Sequence, residues 1–259
     1  MSALDLRGLR AIPPETWERT GLLRLVAAGM ELEELPSAVG ALTGLTTLDV
    51  AHNRLRGVPR AVAGLSALEI LYLGDNRLER VPEAVRALSA LRYLGLDANA
   101  LTALPEWIGE LGALVELRVQ GNAIASLPDG IGRLAALREL HARGNGLTTL
   151  PASIGDLTEL RVLDLRDNAL TELPESIGDL QRLGALDLRD NALTHLPDTI
   201  GGLVHLRTLD LRASPLRALP SALAALPALE KLDLRWTPFF PDLPEPARAL
   251  QARGCVVLS

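Results

Sequence analysis

The chain has 259 residues and a formal net charge of −6. An acidic balance, with pI near 5.3 and no polybasic run, argues against a general nucleic-acid binder or an anionic membrane surface as partner. Hydrophobic residues make up 48% of the sequence, yet it holds only two Tyr, two Phe and three Trp, so aliphatic side chains must build the core.

The first residues carry Leu4, Leu6, Leu9, Ile12 and Pro13, which match the second half of a unit that recurs later, although the register before Leu9 is ambiguous. Pro13-Pro14-Glu15-Thr16-Trp17 predicts a short capping helix, since proline in a first helical turn sacrifices no internal hydrogen bond. Leu22, Leu25, Leu32, Leu35 and Pro36 form the next copy, with Met30 in the place that later copies give to asparagine. Asn53, Asn76, Asn99, Asn122, Asn145, Asn168 and Asn191 then follow one another at intervals of 23 residues. Seven copies without an insertion define a stack of repeats in which each unit touches only its neighbours. Ser214 and Thr237 replace asparagine in the last two copies, and an extra residue within 239–243 shifts the final Leu-Pro pair to Leu243-Pro244. Glu245 to Arg253 predicts a closing helix stopped at Gly254, and Cys255 to Leu258 one last strand. The expected organisation is one solenoid over 1–259, with a degenerate N-terminal repeat or cap at 1–21, copies over 22–243 and a C-terminal cap at 244–259.

Within each copy the alternation Leu163-Asp164-Leu165 marks a strand with both leucines turned inward. The asparagine must satisfy its amide, because an unpaired buried polar group costs on the order of 1–3 kcal/mol, and a ladder from copy to copy would do so. Proline at Pro174 and its equivalents ends the turn, and Ile177 and Leu180, three apart, share one stripe of a short helix or 3₁₀ turn. Strands stack ~4.8 Å apart while the return segments need more room, so the stack curves with its sheet on the concave side.

This pattern, LxxLxLxxNxLxxLPxxIGxLxx, resembles the leucine-rich repeat. Its LPxxIGxL return is similar to the intracellular subclass of Scribble-like scaffolds, plant Ras-group repeat proteins and many bacterial proteins. The resemblance implies an α/β fold: a right-handed horseshoe with a parallel β-sheet on the concave face and short helical or 3₁₀ segments on the convex face. It also implies protein binding on that sheet, and it transfers no specific partner. Secreted members usually carry cysteine-stapled caps, whereas Cys255 is the only cysteine here. Together with an N-terminus that is no signal peptide and no apolar run of ~18 residues, this points to a reducing cytosol, its own or that of a host cell.

The sequence shows no phosphate-cradling glycine loop, metal-ligand spacing or nucleophile elbow, and His52, His141, His195 and His205 occupy four different repeat positions. We therefore expect no enzyme, cofactor or metal. The informative columns flank the inward leucines. In the C-terminal half LDLR recurs, setting an Asp column (Asp164, Asp187, Asp210, Asp233) beside an Arg column (Arg166, Arg189, Arg212, Arg235). The favoured reading is a solvated ladder that neutralises itself, and a dock for a charged partner is the alternative. In the middle, Tyr72, Tyr93, Asp97, Glu116, Arg118, Gln120, Glu139, His141 and Arg143 break the column rules, and Tyr and Arg are favoured interface anchors. Gly74 and Gly95 are expected to open a shallow pocket there. Trp236, Phe239 and Phe240 are expected to seal the last copies. The leading function is a monomeric, non-catalytic scaffold or module that binds a protein through the concave face. A substrate-recognition domain of a larger enzyme, such as an effector ubiquitin ligase, and a purely structural array are the alternatives.

Overall fold

A computed structural model describes residues 2–259. One parallel sheet runs through them in strict sequence order, each strand three residues long. The strands are β1 (Ala3–Asp5), β2 (Arg24–Val26), β3 (Thr47–Asp49), β4 (Ile70–Tyr72), β5 (Tyr93–Gly95) and β6 (Glu116–Arg118). They continue with β7 (Glu139–His141), β8 (Val162–Asp164), β9 (Ala185–Asp187), β10 (Thr208–Asp210), β11 (Lys231–Asp233) and β12 (Val256–Leu258). A single turn of 3₁₀ helix follows each strand from β1 to β10 on the way back. The architecture is a leucine-rich-repeat solenoid with the sheet on its concave side.

The central leucine of each strand pairs in register with the next, Leu140 with Leu163 and Leu163 with Leu186, and these side chains are closed to solvent. Burying each is worth ~1.5–3 kcal/mol, which lets a stack of short, otherwise marginal units hold together. Residues on either side of that leucine point out of the same face, so the columns read from the sequence are real rows on the surface.

The asparagine ladder links neighbouring copies. Asn168 Nδ2 donates to the carbonyls of Ala142, Leu165 and Arg166 at 3.1, 2.8 and 3.2 Å, and its Oδ1 accepts the Leu147 N–H at 3.1 Å. Asn53 and Asn191 are buried and the other five are partly buried, with their amides turned into the turn. The residue just before each asparagine position has a left-handed backbone, from His52 (φ 55°) to Asp190 (φ 54°), Ala213 (φ 55°) and Trp236 (φ 61°).

On the convex side the Ile-Gly pair has a steric cause. A Cβ at Gly132 or Gly155 would stand 2.5 Å from the carbonyl oxygen of Ser153 or Ser176 in the next copy. Gly64 has nothing within 4 Å of the same construction. Gly155→Ala should therefore cost ~1–3 kcal/mol by forcing adjacent turns apart, and Gly64→Ala should be neutral within ~0.5 kcal/mol. Equal urea midpoints for the two variants would remove this explanation of the motif.

Expectations change at both ends of the stack, while the closing helix and the last strand stand where the sequence puts them. The ambiguous first residues form a full strand: β1 pairs with β2, Leu4 with Leu25, and Leu4-Asp5-Leu6-Arg7 repeats the LDLR motif. Helix α1 (Glu245–Ala252) buries Ala247 and Leu250 against the last copy, and β12 completes the sheet. Trp236 does not seal this end. At the left-handed tip of its turn it points outward and is 74% exposed, with Arg235 and Arg212 over its ring at 5.5 and 5.9 Å. Phe240 is exposed as well, and Phe239 is the aromatic that closes the core.

Candidate functional site

The sheet face divides into two zones. On β4 and β5, Tyr72 and Tyr93 lie on neighbouring strands with ring centroids 4.7 Å apart and planes tilted by 47°. Arg118 on β6 extends the stack, its guanidinium carbon 5.9 Å from the Tyr93 centroid and its Nε donating to Glu116 Oε1 at 2.5 Å. Burial pushes the Tyr93 hydroxyl up to about 12, so it stays a neutral donor. Glu139 and His141 on β7 contact each other at 3.1 Å, and Gln120 Oε1 is buried without a partner. Asp97 and Arg143 complete the zone at its edge. All nine sequence-selected residues therefore occupy one continuous patch over β4–β7 and the turns that leave it.

The shallow pocket expected at Gly74 and Gly95 is filled. A Cβ at Gly95 would meet the Tyr93 ring at 3.2 Å, and one at Gly74 would meet Asp97 Oδ1 at 2.8 Å. The missing side chains give room for the tyrosine to lie flat and for the aspartate to fold inward.

The second zone, over β8–β11, departs from the solvated ladder. The Asp and Arg side chains lie over one another rather than out in water: those of Asp164, Asp187 and Asp210 are 16%, 27% and 21% exposed, and that of Asp233 is 1% exposed. Parallel strands set each row only ~4.8 Å from the next, so an arginine covers the carboxylates on both sides. Arg212 chelates Asp210 at 2.6–3.1 Å and Arg235 chelates Asp233 at 2.7–2.9 Å. Burial raises the Asp233 carboxyl, but the Arg235 hydrogen bonds outweigh it and leave the group below its ordinary value. At the exposed Asp5, the Arg7 hydrogen bonds hold the carboxyl down at about 2. Asp187 behaves in the opposite way. Burial, with Asp210 and Asp164 beside it, pushes it up to about 7, and its nearest guanidinium atoms stand at 3.5 and 4.0 Å without a side-chain hydrogen bond. A trough of about 360 Å³ lies over this zone, with His141 at one end and Lys231 at the other. A larger hollow of about 740 Å³ on the flank has walls of mixed charge, Glu31, Glu33 and Glu34 against Arg10, Arg54 and Arg77.

Among the described residues, Glu116, Glu139 and His141 bring ligand atoms within 4.8 Å of one another. Glu116 is already paired with Arg118, and Glu139 with His141.

A family model described as a leucine-rich repeat region matches residues 80–166 and 151–234, and a second, leucine rich repeat, matches 43–101. The first spans more than half of the chain. The chain belongs to the leucine-rich repeat family. Such repeats are typically protein- or peptide-binding modules and usually non-catalytic. Solved structures are similar to the chain in fold. One is the ectodomain of the plant membrane receptor kinase GASSHO1/SCHENGEN3 from Arabidopsis thaliana in complex with CASPARIAN STRIP INTEGRITY FACTOR 2. It is 31% identical with TM-score 0.76, over 92% of this chain and 33% of that one. A PEPR1–AtPEP1 structure is 27% identical with TM-score 0.62, over 91% and 42%. A TLR13–ssRNA13 complex is 27% identical with TM-score 0.72, over 82% and 32%. The chain thus spans a third to less than half of these solved chains. No curated protein matches it. Among the described residues no helix is long and apolar enough to cross a membrane.

Proposed function

We propose that this leucine-rich repeat chain is a non-catalytic binding module that holds a protein or peptide partner along its concave sheet. The observation that carries this is the Tyr72–Tyr93–Arg118 stack: three adjacent strands present large, preorganised side chains of the types that dominate interface energetics, at the centre of an open face. The GASSHO1/SCHENGEN3 and PEPR1 structures, both complexes, support a peptide or protein ligand. The net charge of −6 disfavours a nucleic acid here, although the TLR13 structure holds ssRNA. We place the module in a reducing compartment on the strength of its single, buried cysteine, Cys255, and the LPxxIGxL form of its repeats supports the intracellular subclass.

The test is affinity capture from cytosol or host lysate, followed by titration of the captured partner. Tyr72→Ala combined with Arg118→Ala should weaken binding by ~2–4 kcal/mol with little change in melting temperature. Unchanged capture by the folded double variant would remove the patch from the interface.

A further inference from the structure

The turn that leaves each strand has at its tip, from His52 to Ala213, a polar or small residue, and in the last copy Trp236 takes that place. Its ring is 74% exposed, and Phe240 in the loop that follows is 75% exposed. The ring is nevertheless held. Arg212 and Arg235 lie over it, and each is itself fixed by a carboxylate, Arg212 by Asp210 and Arg235 by Asp233. A large apolar side chain kept in water at one orientation is a cost that burial against a partner removes, and tryptophan is prominent among the residues that anchor interfaces.

A continuous track joins this ring to the tyrosine stack. The patch over β4–β7 ends at His141, and the same residue begins the trough of about 360 Å³, which runs on to Lys231 and Asp233 of β11, the strand that leads into Trp236. The row one residue before the inward leucine is bulky at Tyr93, Glu116 and Glu139 and shrinks to Val162, Ala185 and Thr208 on β8–β10, so the sheet lies low there. The Asp row of the trough is already neutralised by the Arg row beside it: Arg166 stands 3.6 Å from Asp164, Arg189 3.5 Å from Asp187 and Arg212 2.6 Å from Asp210. The trough therefore offers shape and apolar contact and calls for no charge on its occupant. Tyr93 on β5 and Trp236 just past β11 are six strand spacings apart, ~29 Å along the sheet at ~4.8 Å each. An extended chain covers that distance in about nine residues at ~3.3 Å each.

We propose that Trp236 is the second anchor of one extended partner segment that crosses the strands. A large apolar residue of that segment lies on the Tyr72–Tyr93–Arg118 stack, small uncharged residues fill the trough over β8–β10, and a second large apolar residue, about nine positions away, covers Trp236. The proposal rests on the peptide-binding reading of the concave face and adds the length of the ligand and the chemistry of its two ends. A compact partner resting on the tyrosine patch alone would leave the second ring in water.

A phage-displayed library of random hexadecamers panned on the full chain supplies the probes, and enriched peptides are then titrated by fluorescence anisotropy. We expect Trp236→Ala to weaken their binding ~tenfold, and the Tyr72→Ala/Arg118→Ala variant to weaken the same peptides at least as much. Removing about four residues between the two apolar ends leaves a peptide ~13 Å too short to reach both anchors, and it should then lose its dependence on one of them. Peptides that need Tyr72 and Arg118 but ignore Trp236 would overturn the second anchor and leave the concave-face reading standing. Peptides that keep full affinity when shortened would overturn the single extended segment. Peptides indifferent to every substitution, or a library that enriches none, would overturn both readings. Circular dichroism of each variant separates loss of binding from loss of fold.

Discussion

Replacing Asn191 with alanine is expected to lower the stability of the protein by ~3 kcal/mol, measured by equilibrium urea denaturation. Asn191 is 7% exposed and makes four contacts with backbone groups of two copies. Its Nδ2 donates to Leu165, Leu188 and Arg189 at 3.0, 2.9 and 3.3 Å, and its Oδ1 accepts the Leu170 N–H at 3.0 Å. Alanine fits the space but leaves the Leu170 N–H and the Leu188 carbonyl without a partner beneath the surface, where water replaces them poorly; the Leu165 carbonyl keeps the Asn168 amide. Each such orphan costs ~1–3 kcal/mol. Because Leu165 and Leu170 belong to the preceding copy, the loss falls on the interface between repeats, the contact on which a stack depends. Ser214 offers the reverse experiment. It stands in the asparagine place one copy later, is 1% exposed, and its Oγ has no partner. Ser214→Asn should extend the ladder and gain ~1 kcal/mol. If Asn191→Ala leaves the urea midpoint where it was, the ladder is decoration rather than structure.

The second large effect is a dependence of stability on pH set by Asp187. Its folded value of about 7 lies above the ordinary 3.8. Between those values the folded state holds a proton that the unfolded state has released. The stabilisation is therefore complete in acid, below the ordinary carboxylate range, and is lost as pH rises through about 7. A displacement of that size corresponds to roughly 4 kcal/mol at full strength. With 27% of the side chain open to water, and Arg166, Arg189 and Arg212 near enough to oppose the neighbouring Asp164, Asp210 and Asp167, we expect ~2 kcal/mol. Asp233, held below its ordinary value, loses stability only in stronger acid, and Asp164, which burial also raises, acts in the same sense as Asp187. Denaturation at about pH 5 and about pH 8 should show Asp187→Asn less sensitive to pH than the native chain, and more stable than it on the alkaline side. Parallel pH profiles for the two proteins would show that the carboxylate is ionised throughout.

The outward rows of the sheet were legible because strand side chains alternate strictly and the repeat has constant length. Once Leu163 and Leu186 are known to face inward, Asp164 and Asp187 must face outward. Tyr72, Tyr93 and Arg118 could thus be placed on one patch from spacing, although spacing said nothing of their stacking. The Gly74 and Gly95 expectation failed because an absent side chain opens a pocket only if no neighbour is long enough to fill it, and Tyr93 and Asp97 are. Trp236 failed for a related reason: apolar character suggested a seal, but a left-handed backbone at the turn tip aims the ring outward. The N-terminal strand carries its own signal, since Leu4-Asp5-Leu6-Arg7 repeats the LDLR of the distant copies.

The sequence by itself determined the architecture, because a 23-residue period of leucine and asparagine leaves one way to bury every apolar row and satisfy every amide. The tertiary structure alone decided which charges pair. Arg212 chelates Asp210, while Arg166 and Arg189 stand 3.6 and 3.5 Å from Asp164 and Asp187 as ion pairs without a side-chain hydrogen bond, although all four arginines of the row occupy the same place in their copies. That choice depends on how far each long side chain reaches across the curved sheet and on what lies beside it, and side chains of identical sequence context settle it differently from one strand to the next.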